Sequence, residues 1–309
     1  MRLGRWLTGF GAAAVLAAAV FWIATAPQPL PAEAVPARAG NVANGELLFW
    51  AGGCVSCHLS PGAEDADKPE LGGGNPLLTP VATFYPPNIS PDPDTGIGHW
   101  SDLDFVNAMK RGIAPGGTHL YPCFPYTSYQ RMSVADLIDL KAFLDTLPVV
   151  KKHEARESTL PFPFSIRRGV GLWKLLFLDG REFAPDPAKS AEVNRGAYLV
   201  EGPGHCDECH TPRLLFGVGG LDMTRHLGGA PNPAGRGRAA NLTPGKNGIG
   251  NVPASDLLDA LELGTDFSKS MSEVQQNLVL LPESDLAAIV AYLKQLPPVD
   301  SPPRQAGKG

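Results

Sequence analysis

Charge is thin in this sequence. Acidic and basic residues make up 18% of its 309 positions, and the net charge is -5. No basic tract with interleaved aromatics occurs, so nucleic acid is excluded as a partner. Enzyme signatures are missing too. The triple glycine Gly72, Gly73, Gly74 runs into Asn75-Pro76, not into Lys-Ser/Thr, and is no phosphate loop. There is no nucleophile elbow and no metalloprotease helix motif. Cysteine and methionine number only five each. An odd cysteine count argues against simple disulfide pairing.

Proline and glycine are plentiful by contrast, at 31 and 35. They predict long loops and short helices, not a sheet-rich scaffold. Hydrophobic residues at 43% are enough for packed cores, and the length fits two ordinary domains after an N-terminal segment.

That segment is distinctive. Arg2 and Arg5 precede an uncharged run from Trp6 to Ala26. The run exceeds the ~7–15 apolar residues of a cleaved signal and approaches the ~20 that span a bilayer. A small-residue cleavage site, Ala32-Glu33-Ala34, lies well beyond its end. An uncleaved membrane anchor is therefore expected over residues 1–34, with a cleaved signal as the alternative. Either reading exports the rest of the chain.

A repeat organises that remainder. Cys54-Val55-Ser56-Cys57-His58 returns 152 residues later as Cys206-Asp207-Glu208-Cys209-His210. Asn88-Ile89-Ser90-Pro91 returns as Asn241-Leu242-Thr243-Pro244, and Gly96-Ile97-Gly98 as Gly248-Ile249-Gly250. Shared landmarks in one order at nearly one spacing imply duplicated domains. In each copy a helix leads into the cysteine motif: Asn44 to Ala51, and Val193 to Glu201. Each copy closes with a periodic helix. Leu137, Ile138, Leu140, Phe143, Leu144 and Leu147 supply the apolar positions of the first, with Ser133 as N-cap. Leu286, Ile289, Val290, Leu293 and Leu296 supply those of the second. Pro148 and Pro297 stop them. The loops between are too long for a compact domain unless something large fills its centre. The expected fold is all-α: two tandem domains at 41–149 and 190–300, joined by a linker at 150–189 with one short helix and a run of Pro, Phe and Arg.

Cys-x-x-Cys-His is the signature of c-type heme attachment. Two cysteines one helical turn apart reach two vinyl groups on one heme edge. The next residue then offers imidazole to the iron. Cys54, Cys57, Cys206 and Cys209 are thus expected to hold two covalent hemes, with His58 and His210 as proximal iron ligands. A redox dithiol expects a βαβ setting that is absent. A zinc site would have to pair motifs from separate repeats. A sixth ligand is sought in the loop before each closing helix, where methionine raises the potential. Met271, in Ser268-Lys269-Ser270-Met271, is that residue in the second copy. Asn88 and Asn241 either bond near a propionate or fix a turn. Arg213 either pairs with a propionate or faces solvent. Trp100, Tyr85 and Tyr126 are candidates to line the first pocket.

The chain resembles the diheme members of the class I c-type cytochromes, related to the cytochrome subunits of membrane-bound alcohol, gluconate and aldehyde dehydrogenases. The likeness runs from Ala43 to Pro298. It rests on Gly52-Gly53-Cys54-Val55-Ser56-Cys57-His58, on Asn88 to Trp100, on Leu120-Tyr121-Pro122-Cys123-Phe124-Pro125-Tyr126, and on Gly202 to Arg213. Many relatives have the ligand methionine where this chain has Phe124, whose ring cannot bind iron. Three candidates are left for the first heme: Met132 first, then His119 for bis-histidine ligation and Cys123 for thiolate ligation. Met132 also reads as a hydrophobic staple ahead of its helix.

The expected function is single-electron transfer in the periplasm. Electrons would come from a dehydrogenase and pass to quinone, another cytochrome or an oxidase. The relatives often carry three heme motifs; this chain has two. The alternative is a heme enzyme similar to diheme thiosulfate dehydrogenases, which have a cysteine-ligated catalytic heme. Cys123 alone invites it.

Overall fold

The computed structural model describes residues 2–64, 68–79, 81–151, 159–232, 237–263 and 269–302, apart from the side chains of 2–9 and 269–270. Part of the expected linker, 152–158, and Ser268 ahead of Met271 lie outside the described residues.

The N-terminal run is one helix, α1 (Arg2–Ala24). Its alanines favour helix but add little hydropathy. Among the described residues no helix is long and apolar enough to cross a membrane, so the anchor expected from run length is not matched by a spanning helix.

The first copy begins at α2 (Val42–Ala51), capped by the Asn41 side chain, which accepts from the amides of Ala43 and Asn44. Then come α3 (Cys54–His58), a short antiparallel pair β1 (Leu77–Leu78) and β2 (Thr83–Phe84), and α4 (Asp102–Arg111). A capping box between Ser101 and Asp104 starts α4. A second pair, β3 (Ile113–Ala114) and β4 (Thr118–His119), leads to α5 (Tyr126–Tyr129) and α6 (Val134–Leu144). Ser133 caps α6 by accepting from the Asp136 amide, as its sequence predicts.

Among the described residues the linker contains one helix, α7 (Arg168–Phe177). The second copy follows as α8 (Ala191–Glu201), α9 (Asp207–His210), α10 (Ala254–Leu263), α11 (Lys269–Leu278) and α12 (Glu283–Lys294).

In each copy the first and last helices cross at a glycine. A Cβ on Gly45 would lie 2.0 Å from the Asp139 carbonyl oxygen of α6, and one on Gly196 1.9 Å from that of Ala288 in α12. Only a missing side chain lets the backbones approach so closely. Two apolar cores form around these crossings. One contains Leu48, Phe49, Val106, Met132, Leu137 and Leu140. The other contains Leu199, Val200, Leu227, Leu286, Ile289 and Leu293. The periodic residues of both closing helices are all buried. The halves also interlock: Leu47 and Trp50 of α2 pack on the second core, and Tyr198 of α8 packs on the first.

Candidate heme sites

Gly53, at φ 55°, turns the chain from α2 into α3, a conformation that costs glycine little. Cys54 and Cys57 then lie one turn apart. In the second motif Cys206 caps α9, with Cys209 one turn on. Cys57 and Cys209 are exposed, Cys54 and Cys206 half-buried, and none is in a disulfide. Burial pushes the Cys54 and Cys206 thiols up to about 12. A reactive dithiol needs the reverse shift. Nor do the motifs pair into a zinc site: among the described residues no group of three or more His, Cys, Asp or Glu could hold a metal ion.

The two histidines are oriented alike. His58 Nδ1 lies 2.9 Å from the carbonyl oxygen of Pro87, and His210 Nδ1 2.8 Å from that of Ala240. A carbonyl only accepts, so Nδ1 donates and the lone pair is on Nε2. This is the tautomer, and the outer contact, of an imidazole that ligates a metal.

Each accepting carbonyl comes just before a repeated asparagine. Asn88 Nδ2 donates to the Val150 carbonyl (2.7 Å) and to Thr95 Oγ1 (2.9 Å), while its Oδ1 accepts from the Ser90 amide (2.9 Å). Asn241 Nδ2 donates to the Val299 carbonyl (2.6 Å), and its Oδ1 accepts from the Thr243 amide (2.9 Å). Both are buried. They fix the turn that presents the carbonyl and stitch it to the chain after the closing helix. The turn reading holds for both. Sequence reasoning missed the carbonyls themselves, although both precede the repeated asparagine.

Arg213 is neither solvated nor free for a propionate. Its guanidinium pairs with Glu208, and both side chains are largely buried. Glu208 also accepts from Thr127 of the first half. Ser56, at the matching place in the first motif, accepts from Asn277 Nδ2 at 3.1 Å. So the third residue of each motif reaches across to the other half, a role its sequence does not advertise. The residues just ahead of the motifs touch: His205 Nε2 is 3.2 Å from the Gly52 carbonyl, and the His205 ring lies 5.6 Å from that of Tyr129 in the first copy.

The distal candidates sit in different settings. Both ring nitrogens of His119 are committed: Nε2 to the Thr25 carbonyl at 2.9 Å, Nδ1 to Lys174 Nζ at 3.1 Å. His119 is a buried staple between α7, β4 and the end of α1. Met271 is not in a loop; it sits half-buried on α11, an extra helix that still precedes α12. Met132 is almost wholly buried in the first core, and its carbonyl accepts from Lys110 Nζ at 2.7 Å. Cys123 Sγ is 3.8 Å from the Tyr121 carbonyl, and burial pushes its thiol up to about 12. Phe124 packs on Tyr129, their rings 5.4 Å apart. Trp100 packs against the first core, and Tyr126 is fully buried. The Tyr126 hydroxyl has no hydrogen-bond partner among the described residues. A buried orphan donor is costly, and a polar cofactor substituent would satisfy it. Paired thiols, carbonyl-held imidazoles and this hydroxyl fit heme.

A family model for cytochrome c matches residues 42–148. The chain is 42% identical to a diheme cytochrome c-type of Cereibacter sphaeroides over 94% of its own length and 98% of that protein's. It is 34% identical to the fructose dehydrogenase cytochrome subunit of Gluconobacter japonicus, over 86% of this chain and 55% of that one. It is 36% identical to the gluconate 2-dehydrogenase cytochrome c subunit of Pantoea cypripedii, over 82% of this chain and 59% of that one. The chain belongs to the diheme c-type cytochromes. Its cofactors are two covalently bound heme c groups.

Proposed function

We propose that this cytochrome passes single electrons between its two hemes, taking them from a dehydrogenase outside the cytoplasmic membrane and giving them to the respiratory chain. Heme c supplies reversible one-electron chemistry at iron. The four motif cysteines hold it by thioethers, and His58 and His210 are its proximal ligands. The carbonyls of Pro87 and Ala240 keep those imidazoles in the ligating tautomer. Met271 is the distal ligand of the second heme and Met132 that of the first. Residues 41–149 and 190–300 each enclose one heme. The contact between the segments leading into the two motifs carries this reading, because adjacent attachment segments would hold two hemes near one another. The dehydrogenase subunits among the relatives support a dehydrogenase donor, and the uncharged run from Trp6 to Ala26 supports export.

The test is ligation, heme by heme. The full chain is matured with heme, and the methionine-to-ferric-iron band is quantified in wild type, Met132→Ala, Met271→Ala and Cys123→Ala. Two bands, each lost with its own methionine, are expected. A band lost only with Met271 would remove Met132 from the site. Loss of thiolate character with Cys123→Ala would favour the thiosulfate dehydrogenase-type enzyme.

A further inference from the structure

The α7 helix is amphipathic in the wrong direction for a linker buried between domains. Val170, Gly171 and Lys174 face inward and are buried. Leu172, Leu175 and Leu176, at i, i+3 and i+4, form an exposed stripe. Leu176 is 65% exposed. A helix that only packed across two domains would turn these leucines inward.

Two further apolar features adjoin it. At one end Trp173 Nε1 donates to the Val218 carbonyl at 2.9 Å, and Gly220 packs against the Phe177 ring. These contacts hold the loop of Leu214 to Val218 beside α7. Its tip is strained: Leu215 and Phe216 have φ of 50° and 56°, which costs non-glycine residues energy. The strain presents Phe216 fully to solvent, at 108%. At the other end, Arg168 stacks on Trp22 of α1, 4.3 Å from the ring centroid. The exposed Val20, Trp22 and Ile23 thereby continue the surface. Ahead of α7, Phe162, Phe164 and Ile166 are also exposed. Scattered exposed leucines are ordinary, but a contiguous patch marks an interaction site.

Arginines edge this patch. A cleft of about 540 Å³ is lined by Pro27, Pro29, Gly117, His119, Arg167 and Arg168. Arg168 Nη1 is buried with no hydrogen-bond partner among the described residues, and Arg167 Nη1 donates to the His119 carbonyl at 2.9 Å. Apolar side chains, an aromatic and arginines beside them are the arrangement of an interfacial helix on anionic lipid. Continuity with α1 and the positive edge favour a lipid surface over a protein partner.

We propose that the α7 leucine stripe, the Leu214–Val218 tip and the Phe162–Ile166 segment lie on an anionic lipid bilayer, with a lipid phosphate against Arg167 and Arg168. This rests on the reading that the chain is exported to a membrane, and it is a second contact, separate from any anchoring by α1.

The heme-loaded full chain is bound to vesicles of phosphatidylcholine and phosphatidylglycerol that carry a photoactivatable diazirine phospholipid. Labelled peptides are mapped by mass spectrometry. Label is expected on α7 and on residues 214–218, and not at Val279 and Leu280, which are exposed on the second half. Leu175→Glu with Leu176→Glu should cut the α7 label about tenfold with heme content unchanged, and neutral vesicles should weaken it about tenfold. Label on α1 alone would overturn the proposal and leave the anchor intact. No label on either would overturn both. Label on α7 without α1 would support the proposal and defeat the anchor. A patch that lipid leaves unlabelled, but a dehydrogenase protects, would overturn the proposal and assign the patch to a protein partner.

Discussion

The two copies share a frame and differ in what is attached to it. Each crosses its first and last helices at a glycine, each holds a histidine through a carbonyl before an asparagine, and each ties that asparagine to the chain after the closing helix. They differ on the distal side and at the third position of the motif. Ser56 makes one neutral cross-link, whereas Glu208 is in a buried ion pair with Arg213 and bonds Thr127. The Arg213 place in the first copy is Pro61, which cannot pair. Duplication has kept what sets the histidine and let the surroundings diverge, so the same substitution in both copies separates frame from surroundings.

The largest effect is expected at the frame. Gly45→Ala and Gly196→Ala force a Cβ into a backbone carbonyl, which cannot move aside as a side chain would. Each should destabilise its own half by about 3 kcal/mol or more, read as a lowered denaturant midpoint. Equal losses would confirm that the crossings are equivalent. A loss in one copy only would mean the other helix pair can slide apart.

Next comes the motif's third residue, where the copies should part. Arg213→Met leaves Glu208 buried with its charge uncompensated and should cost about 3 kcal/mol. Ser56→Ala removes one neutral bond and should cost about 1 kcal/mol or less. Similar costs in a denaturation series would refute the idea that the second motif is clamped more strongly.

The asparagines should again behave alike. Asn88→Ala and Asn241→Ala leave the Val150 and Val299 carbonyls short of a donor, each costing about 2 kcal/mol. Because the same turn presents the carbonyl to the histidine, each variant should also perturb the spectrum of its own heme. Destabilisation without any spectral change would make the asparagine a turn residue alone.

The sequence makes the frame legible because its parts are strongly patterned. The closing helices show apolar periodicity, and the motifs repeat at one spacing. The surroundings are hidden for identifiable reasons. The α11 sequence is mostly polar, so a helix there reads as a loop, and Met271 reads as part of one. The α4 helix lies inside what reads as one long loop, although a Ser101–Asp104 capping box starts it. His119 looks available in sequence because its partners, Thr25 and Lys174, are 94 and 55 residues away. Arg213 looks free although Glu208 is only five residues off, since a carboxylate inside a heme motif reads as solvent-facing.

A last effect is read against pH and concerns the anchor of α7 in the first copy. Lys174 Nζ is buried, donates to the Gly112 carbonyl at 2.6 Å, and lies over the Tyr126 ring. Burial lowers its pKa from 10.5 to about 7. Below about 7 the lysine is protonated whether the chain is folded or not, and above 10.5 it is neutral in both states. Between those values the unfolded chain holds a proton that the folded chain has released, so stability rises with pH across that window. Lys174→Met removes the titration, and the climb in unfolding midpoint from about pH 7 to about pH 10 should flatten. A slope that survives Lys174→Met would show that the folded chain keeps this lysine charged, and its contacts with His119 and the Tyr126 ring would then be those of an ammonium that hydrogen bonding has compensated for burial.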